Sequence, residues 1–340
     1  MNRASSDILK IMFIGSAIYT EFNLDLISGK EFEYLFQFNL LAIVILSQGK
    51  CGLSSCTTCY LLAMAAADML VISFDIILFR LCFYYFPRSF LEITPVCSII
   101  TVLLYAATDC SVWFTITFTC DRFVAVCCQK LKQKYCTEKM AVVILSTTCI
   151  LLCLKDITLY FRFEPGEIID NVPWFCKDKR SYYTDPGWIG FNWFETILTP
   201  LIPYGLILLL NALTVRHVLV ASRVRKELKC QSKGENSSDP EMESRRKSLI
   251  LLFTMSGNFI ILWFVYVLNI LYYKISGINP KNYSNSLYMF EQVGVMLLEL
   301  SCCTNTFIYG MTQSKFRQKL KIMIKYPATV MFPISNTQNN

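Results

Sequence analysis

Between Cys97 and Arg122 the chain runs 25 positions through residues that are almost all apolar or small (SIITVLLYAATDCSVWFTITFTC). As a helix rising ~1.5 Å per residue, that stretch is about 37 Å long, enough to cross a hydrocarbon core of roughly 30 Å. One end offers a thiol suited to an oxidising exterior. The other carries the triplet Asp121-Arg122-Phe123, an acid–base pair placed where an arginine can reach an inner membrane edge.

Similar apolar runs occupy 57–79, 140–154, 194–215, 248–273 and 287–310. Most approach or exceed the ~18–20 residues that a spanning helix needs. None alternates at period two, which argues against a β-barrel. Backbone groups in lipid must be satisfied within their own segment, so the expected fold is an all-α, seven-transmembrane-helix bundle. The composition agrees: 54% hydrophobic and 17% charged residues, with a mean hydropathy of +0.44.

With the N-terminus outside and seven spans, the inner loops and tail hold 19 Lys and Arg against 12 in the outer segments. That bias has the sign of the positive-inside rule, so topology accounts for the net charge of +7 and no nucleic acid is needed as a partner. The first span is the weak one. Residues 34–47 are apolar-rich but short, and Lys30, Glu31 and Glu33 precede them. The N-terminus therefore reads as truncated or misassembled rather than as a helix beginning at Leu24. The domain reading is an outer N-terminal segment over 1–33, a bundle over 34–310, and an amphipathic helix with a short inner tail over 311–340. Residues 223–247 are polar and charged, with Gly234 and Pro240, and read as a flexible inner loop.

Asp68 lies deep in the second apolar run, where a carboxylate is costly and faces the bundle interior. Cys97, Leu104 and Ser111 recur every seven residues and share one helix face. Ser301 and Asn305 share a face on the last run, which ends Asn305-Thr306-Phe307-Ile308-Tyr309. After it, 314–325 sets Phe316, Leu320, Met323 and Ile324 against Lys and Arg, as an amphipathic helix on the inner leaflet would. No cysteine follows Cys303, so this helix has no palmitoyl anchor.

The Asp121-Arg122-Phe123 triplet, the closing Asn-Thr-Phe-Ile-Tyr and Asp68 together resemble the rhodopsin-like G-protein-coupled receptors. The resemblance implies a plasma-membrane, multi-pass receptor that passes an extracellular signal to a heterotrimeric G protein around Arg122. It implies a sodium pocket of Asp68, Ser111, Ser301 and Asn305, whose carboxylate, hydroxyls and amide suit a hard cation acting as an allosteric modulator; Asp68 and Ser111 are its expected metal ligands. It implies an aromatic switch of Phe259 and Trp263 with Tyr309. Two family prolines are replaced, by Thr306 and Val265. Counting back from Trp263, Arg245 falls where many receptors carry an acid that locks the arginine, so a looser resting state is expected. Cys97 is expected to pair with Cys176, with Cys82 a competitor if it lies beyond the membrane. The sequon at Asn282 falls outside the membrane and is a glycosylation candidate; that at Asn236 is cytosolic.

Leu104 stands where amine receptors carry a ligand-pairing aspartate, so a biogenic amine is not expected. Arg80, Tyr105, Asp109 and Glu299 are the ligand candidates, with Asp75, Trp188 and Trp193 near the mouth. The stretch YTDPGWIGFNW and the ending SCCTNTFIYGMTQSKFRQ are similar to a group of orphan receptors proposed to sense aromatic amino acids or peptides. No cofactor other than sodium is expected. An enzyme is disfavoured, since the lone histidine, His217, sits at an inner helix end; a retinal protein would need a lysine in the last span. The alternatives are an ion-conducting or transporting protein using Asp68, Asp109 and Glu299, or a signalling-dead relative. Few Ser or Thr follow Tyr326, so tail-dependent arrestin recruitment should be weak.

Overall fold

Helix-capping residues set the frame. Ser54, Thr137 and Ser284 each accept a hydrogen bond from the backbone N–H three residues on, and Asp185 does the same for Gly187 and Trp188. The computed structural model describes residues 29–49, 51–81, 86, 88–231, 240–277 and 284–325, with the backbone alone for 29–35, 79–81, 224–231, 240–245, 324 and 325. Its helices are α1 (Gly29–Ser47), α2 (Ser55–Ile72) continued in wider π turns over Ser73–Leu81, and α3 (Thr94–Cys127). Next come the short α4 (Gln129–Tyr135) and α5 (Glu138–Asp156), which tightens into a 3₁₀ turn over Ile157–Arg162. After a hairpin follow α6 (Arg180–Thr184), α7 (Pro186–Thr196), α8 (Ile202–Gln231), α9 (Pro240–Ser276), α10 (Asn285–Thr312) and α11 (Ser314–Lys325).

Among the described residues six helical stretches are long and apolar enough to cross a membrane, and α1 adds the shorter apolar stretch Phe36–Ser47. With α11 laid against the base, this is the expected helical bundle. α3 runs through the centre and touches α2, α5, α8 and α9, and α9 lies against α10. The interior is filled by Tyr60, Leu61, Met64, Phe118, Leu251, Tyr309 and Phe316. The outside of α5 and α8 instead exposes Val143, Ile150, Leu151, Leu154, Leu209 and Leu219, the surface of a helix facing lipid.

Four features differ from the sequence expectation. The connection after α5 is an antiparallel hairpin, β1 (Phe163–Ile169) with β2 (Val172–Asp178). Its two-residue turn, Asp170-Asn171, has both residues at positive φ, the twist that tight hairpins favour. Much of 223–247 is helical rather than loop, because α8 reaches Gln231 and α9 starts at Pro240. Lys, Arg and Glu are good helix formers once past the membrane, and apolar content marks only where a helix is immersed. The fifth apolar run is broken at Thr199, whose backbone leaves helical geometry beside Pro200. Lys155, one of the 12 Lys and Arg counted with the outer segments, is instead on α5 with its side chain only 10% exposed. Residues 1–28, Cys82 and the 326–340 tail lie outside the described residues.

The Cys97–Cys176 disulfide joins α3 to β2, which settles the pairing against Cys82. Thr94 Oγ1 donates to the Phe175 carbonyl at 2.9 Å beside it. Gly294 sets the contact between α9 and α10: a Cβ there would lie 3.2 Å from Tyr266 Cα and 3.3 Å from its N. Gly294→Val is expected to force these helices apart and cost about 1–3 kcal/mol, read as a lower thermal midpoint of the purified protein, with Gly294→Ala intermediate.

Candidate functional site

At the disulfide end α2, α3, α7, α9 and α10 enclose a cavity of about 420 Å³. Its walls include Asp75, Tyr105, Asp109, Tyr182, Asn192, Glu195, Tyr266, Asn269, Tyr273, Lys274, Glu291 and Glu299, and Trp263, Leu298 and Val71 are among its apolar lining. Volume and mixed lining are those of a small-ligand site.

One wall is an ionic cluster that was not anticipated. Lys155 Nζ lies 2.5 Å from Asp109 Oδ2 and 2.6 and 2.8 Å from the two Glu195 oxygens. Asp156 Oδ1 is 2.8 Å from the same ammonium, without hydrogen-bond alignment. Asp109 thus reaches the cavity already neutralised by a lysine, as a buried charge must be. Above it, Arg162 grips Asp178 through Nε at 2.6 Å and Nη2 at 3.0 Å, and its guanidinium stacks 4.2 Å over Tyr182. Arg162 Nη1 also reaches Tyr105 Oη at 3.4 Å, and Tyr183 Oη donates to Asp178 at 2.5 Å. Burial and that carboxylate push the Tyr183 phenol pKa up, so it remains a donor across physiological pH.

Below the cavity lies a buried polar network. Asp68 is 0% exposed; Ser111 Oγ donates to its Oδ1 at 2.5 Å and Asn305 Nδ2 to its Oδ2 at 2.7 Å. Ser301, the fourth residue expected from the sequence, is buried one turn before Asn305 on α10. Asn39 of α1 was missed: its Nδ2 donates to the Cys302 carbonyl at 3.1 Å and its Oδ1 accepts from Thr306 Oγ1 at 3.1 Å. Thr306 therefore replaces a proline with a hydroxyl that ties α10 to α1, and α10 continues unbroken to Thr312. Asn258 Nδ2 donates to Thr304 Oγ1 at 2.8 Å, tying α9 to the same stretch.

Phe259 stacks on Trp263 at 4.9 Å between ring centroids, and Tyr309 meets Phe316 of α11 edge-on at 5.9 Å. At the far end Arg122, 8% exposed, is held by Asp121: Nε lies 3.0 Å from Asp121 Oδ2, and Nη2 binds the same oxygen. Arg122 Nη1 donates to Ser248 Oγ of α9 at 3.3 Å. Cys56 Sγ donates to Asp121 Oδ1 at 3.2 Å and Cys136 Sγ to the Asp121 carbonyl at 3.5 Å. Burial and then the Asp121 carboxylate hold the Cys136 pKa up at about 12, so it stays a thiol donor. A second cavity of about 310 Å³ opens here, lined by Arg122, Val126, Lys132, Cys136, Lys247, Ser248, Leu251 and Gln313. Phe123 is half-buried beside it in sequence.

Of the ligand candidates, Tyr105, Asp109 and Glu299 share the outer cavity, whereas Trp188 and Trp193 stand on α7 outside its lining; the Arg80 and Arg245 side chains and Asn282 lie outside the described residues. Lys155 and Glu195 were invisible as partners of Asp109 because they come together only when α3, α5 and α7 pack. The family model of the 7 transmembrane receptor (rhodopsin family) matches residues 38–309. The chain belongs to that family, a class of multi-pass membrane receptors that are in general not enzymes.

Removing Asn39 tests the inner network. Asn39→Ala strands the Thr306 hydroxyl and should cost about 1–3 kcal/mol, seen as a lower thermal midpoint. The double change Asn39→Ala with Thr306→Val should recover part of that loss.

Proposed function

We propose that the protein passes an extracellular small-ligand signal to a heterotrimeric G protein from the plasma membrane, with its N-terminus outside. The observation that carries this reading is the contact between Arg122 and Ser248, which bridges α3 and α9 at the rim of the inner cavity. Ligand in the outer cavity presses on Trp263 and Leu298, which line it. A bundle state in which the inner end of α9 swings from α3 uncovers Arg122 and is the one that a G protein binds.

The donor set at Asp68 suits a hard monovalent cation: one buried carboxylate, the half-buried Ser111 hydroxyl and the buried Asn305 amide, with the buried Ser301 one turn before Asn305. Asp68, Ser111 and Ser301 would hold sodium, whose charge would offset that of the buried carboxylate and favour the resting bundle. The proposed ligand is an aromatic amino acid or short peptide, supported by the aromatic and charged lining of the outer cavity.

A G-protein dissociation panel in cells, with and without L-tryptophan and L-phenylalanine, tests the coupling. Arg122→Ala should abolish the ligand-driven response while cell-surface expression persists. Arg122 is met on α9 by a hydroxyl, a weaker hold than a carboxylate. Basal output should therefore be measurable, and Ser248→Asp should lower it roughly threefold to tenfold. Asp68→Asn should remove the sodium dependence of ligand affinity, measured by binding in sodium against N-methylglucamine buffer.

A further inference from the structure

Three thiols meet where α3 packs on α5. Cys149 and Cys153 are four residues apart on α5 and share one face, and Cys110 of α3 meets them there. The three Sγ atoms all lie within 4.8 Å of one another. None is in a disulfide, and among the described residues no other three cysteines gather in this way. Cys110 is buried, Cys149 is half-buried, and Cys153 is exposed on the outside of α5 with Ile150 and Leu154. Cysteine as a small apolar filler accounts for one buried thiol such as Cys110. It does not account for three sulfurs converging across a helix pair.

Their spacing is that of ligands around one ion. Three sulfurs arranged trigonally at about 2.3 Å from a metal lie about 4.0 Å from each other. A contraction of at most about 0.8 Å on any side therefore closes the triangle. Thiolate sulfur selects soft ions, copper(I) and zinc(II) first among them. Two arguments favour copper(I). Among the described residues no fourth thiol, imidazole or carboxylate joins the group within the same distance, whereas structural zinc takes four ligands. A monovalent ion also needs one thiolate to cancel its charge where a divalent ion needs two, and ionising thiols away from water is costly.

The place matters for the bundle. Cys110 follows Asp109 on α3, and Cys153 lies two residues before Lys155 on α5, so the thiols sit just to the inner side of the Lys155–Asp109 ion pair. We propose that Cys110, Cys149 and Cys153 bind a single copper(I) ion, which clamps α3 to α5 beneath that pair.

The test loads the full chain in nanodiscs, stripped of metal and kept reduced, with copper(I) supplied as its acetonitrile complex. After desalting against a weak chelator, copper per chain is read by atomic emission. Wild type should keep one copper more per chain than Cys110→Ser, Cys149→Ser or Cys153→Ser. Cys120→Ser, which removes an exposed thiol of α3 outside the group, should keep as much as wild type. X-ray absorption should show three sulfurs at about 2.3 Å for the copper that Cys153→Ser loses. Loading should raise the thermal midpoint of wild type and leave that of the three variants unchanged. Cys153 is at the outer surface of α5, so Cys153→Ser keeps the fold and decides the matter even where Cys110→Ser does not fold. Equal copper in wild type and Cys153→Ser, an equal loss in Cys120→Ser, or retention of zinc in place of copper by the same three residues would each overturn the proposal.

Discussion

Asp68 has no exposed surface and ties α2 to α3 and α10, so the bundle must either satisfy it or fail to close there. Burying a carboxylate costs several kcal/mol, and each charge-assisted hydrogen bond returns roughly 1.5–3 kcal/mol. Ser111 and Asn305 supply two such bonds from α3 and α10. Helices in lipid gain little from the hydrophobic effect, so polar contacts of this kind decide register. Asn39, Thr306, Asn258 and Thr304 extend the same arrangement to α1 and α9. α10 is thereby held at Thr304, Asn305 and Thr306 in succession, which makes it the helix most constrained by polar contacts in the inner half.

The outer half is organised differently. There the ties are ionic and the space between them is kept open: Lys155 binds α3, α5 and α7 together, and Arg162 fastens the hairpin foot to Tyr182. The disulfide holds the other strand of that hairpin against α3. Charges that would otherwise oppose insertion in lipid are spent in pairs around the cavity rim, and the cavity survives because its walls are braced from behind.

α9 and α10 run from the outer cavity to the inner one. Trp263 and Leu298 line the outer one, and Phe259 stacks under Trp263. Further down the same two helices come Asn258 against Thr304, then Ser248 against Arg122. Among the described residues, Ser248 near the inner end of α9 accepts a hydrogen bond from Arg122 of α3.

The spans, the Arg122 end, the burial of Asp68 and the amphipathic α11 were legible in the chain because each is a local pattern: an apolar run long enough for a membrane, a charge at its edge, a polar residue buried by its neighbours. The hairpin was not, since strand pairing over 163–178 has little periodicity and depends on a turn of two residues at positive φ. Nor were the roles of Lys155 and Lys274 apparent, one sealed among carboxylates and the other left facing the cavity. By itself the sequence determined how many helices enter the membrane and which residues they must hide, because hydrophobicity and helical spacing act within a segment. Which buried charges meet, and so where a cavity stays open and what it can hold, was decided only by packing, because those partners lie 40 residues or more apart along the chain.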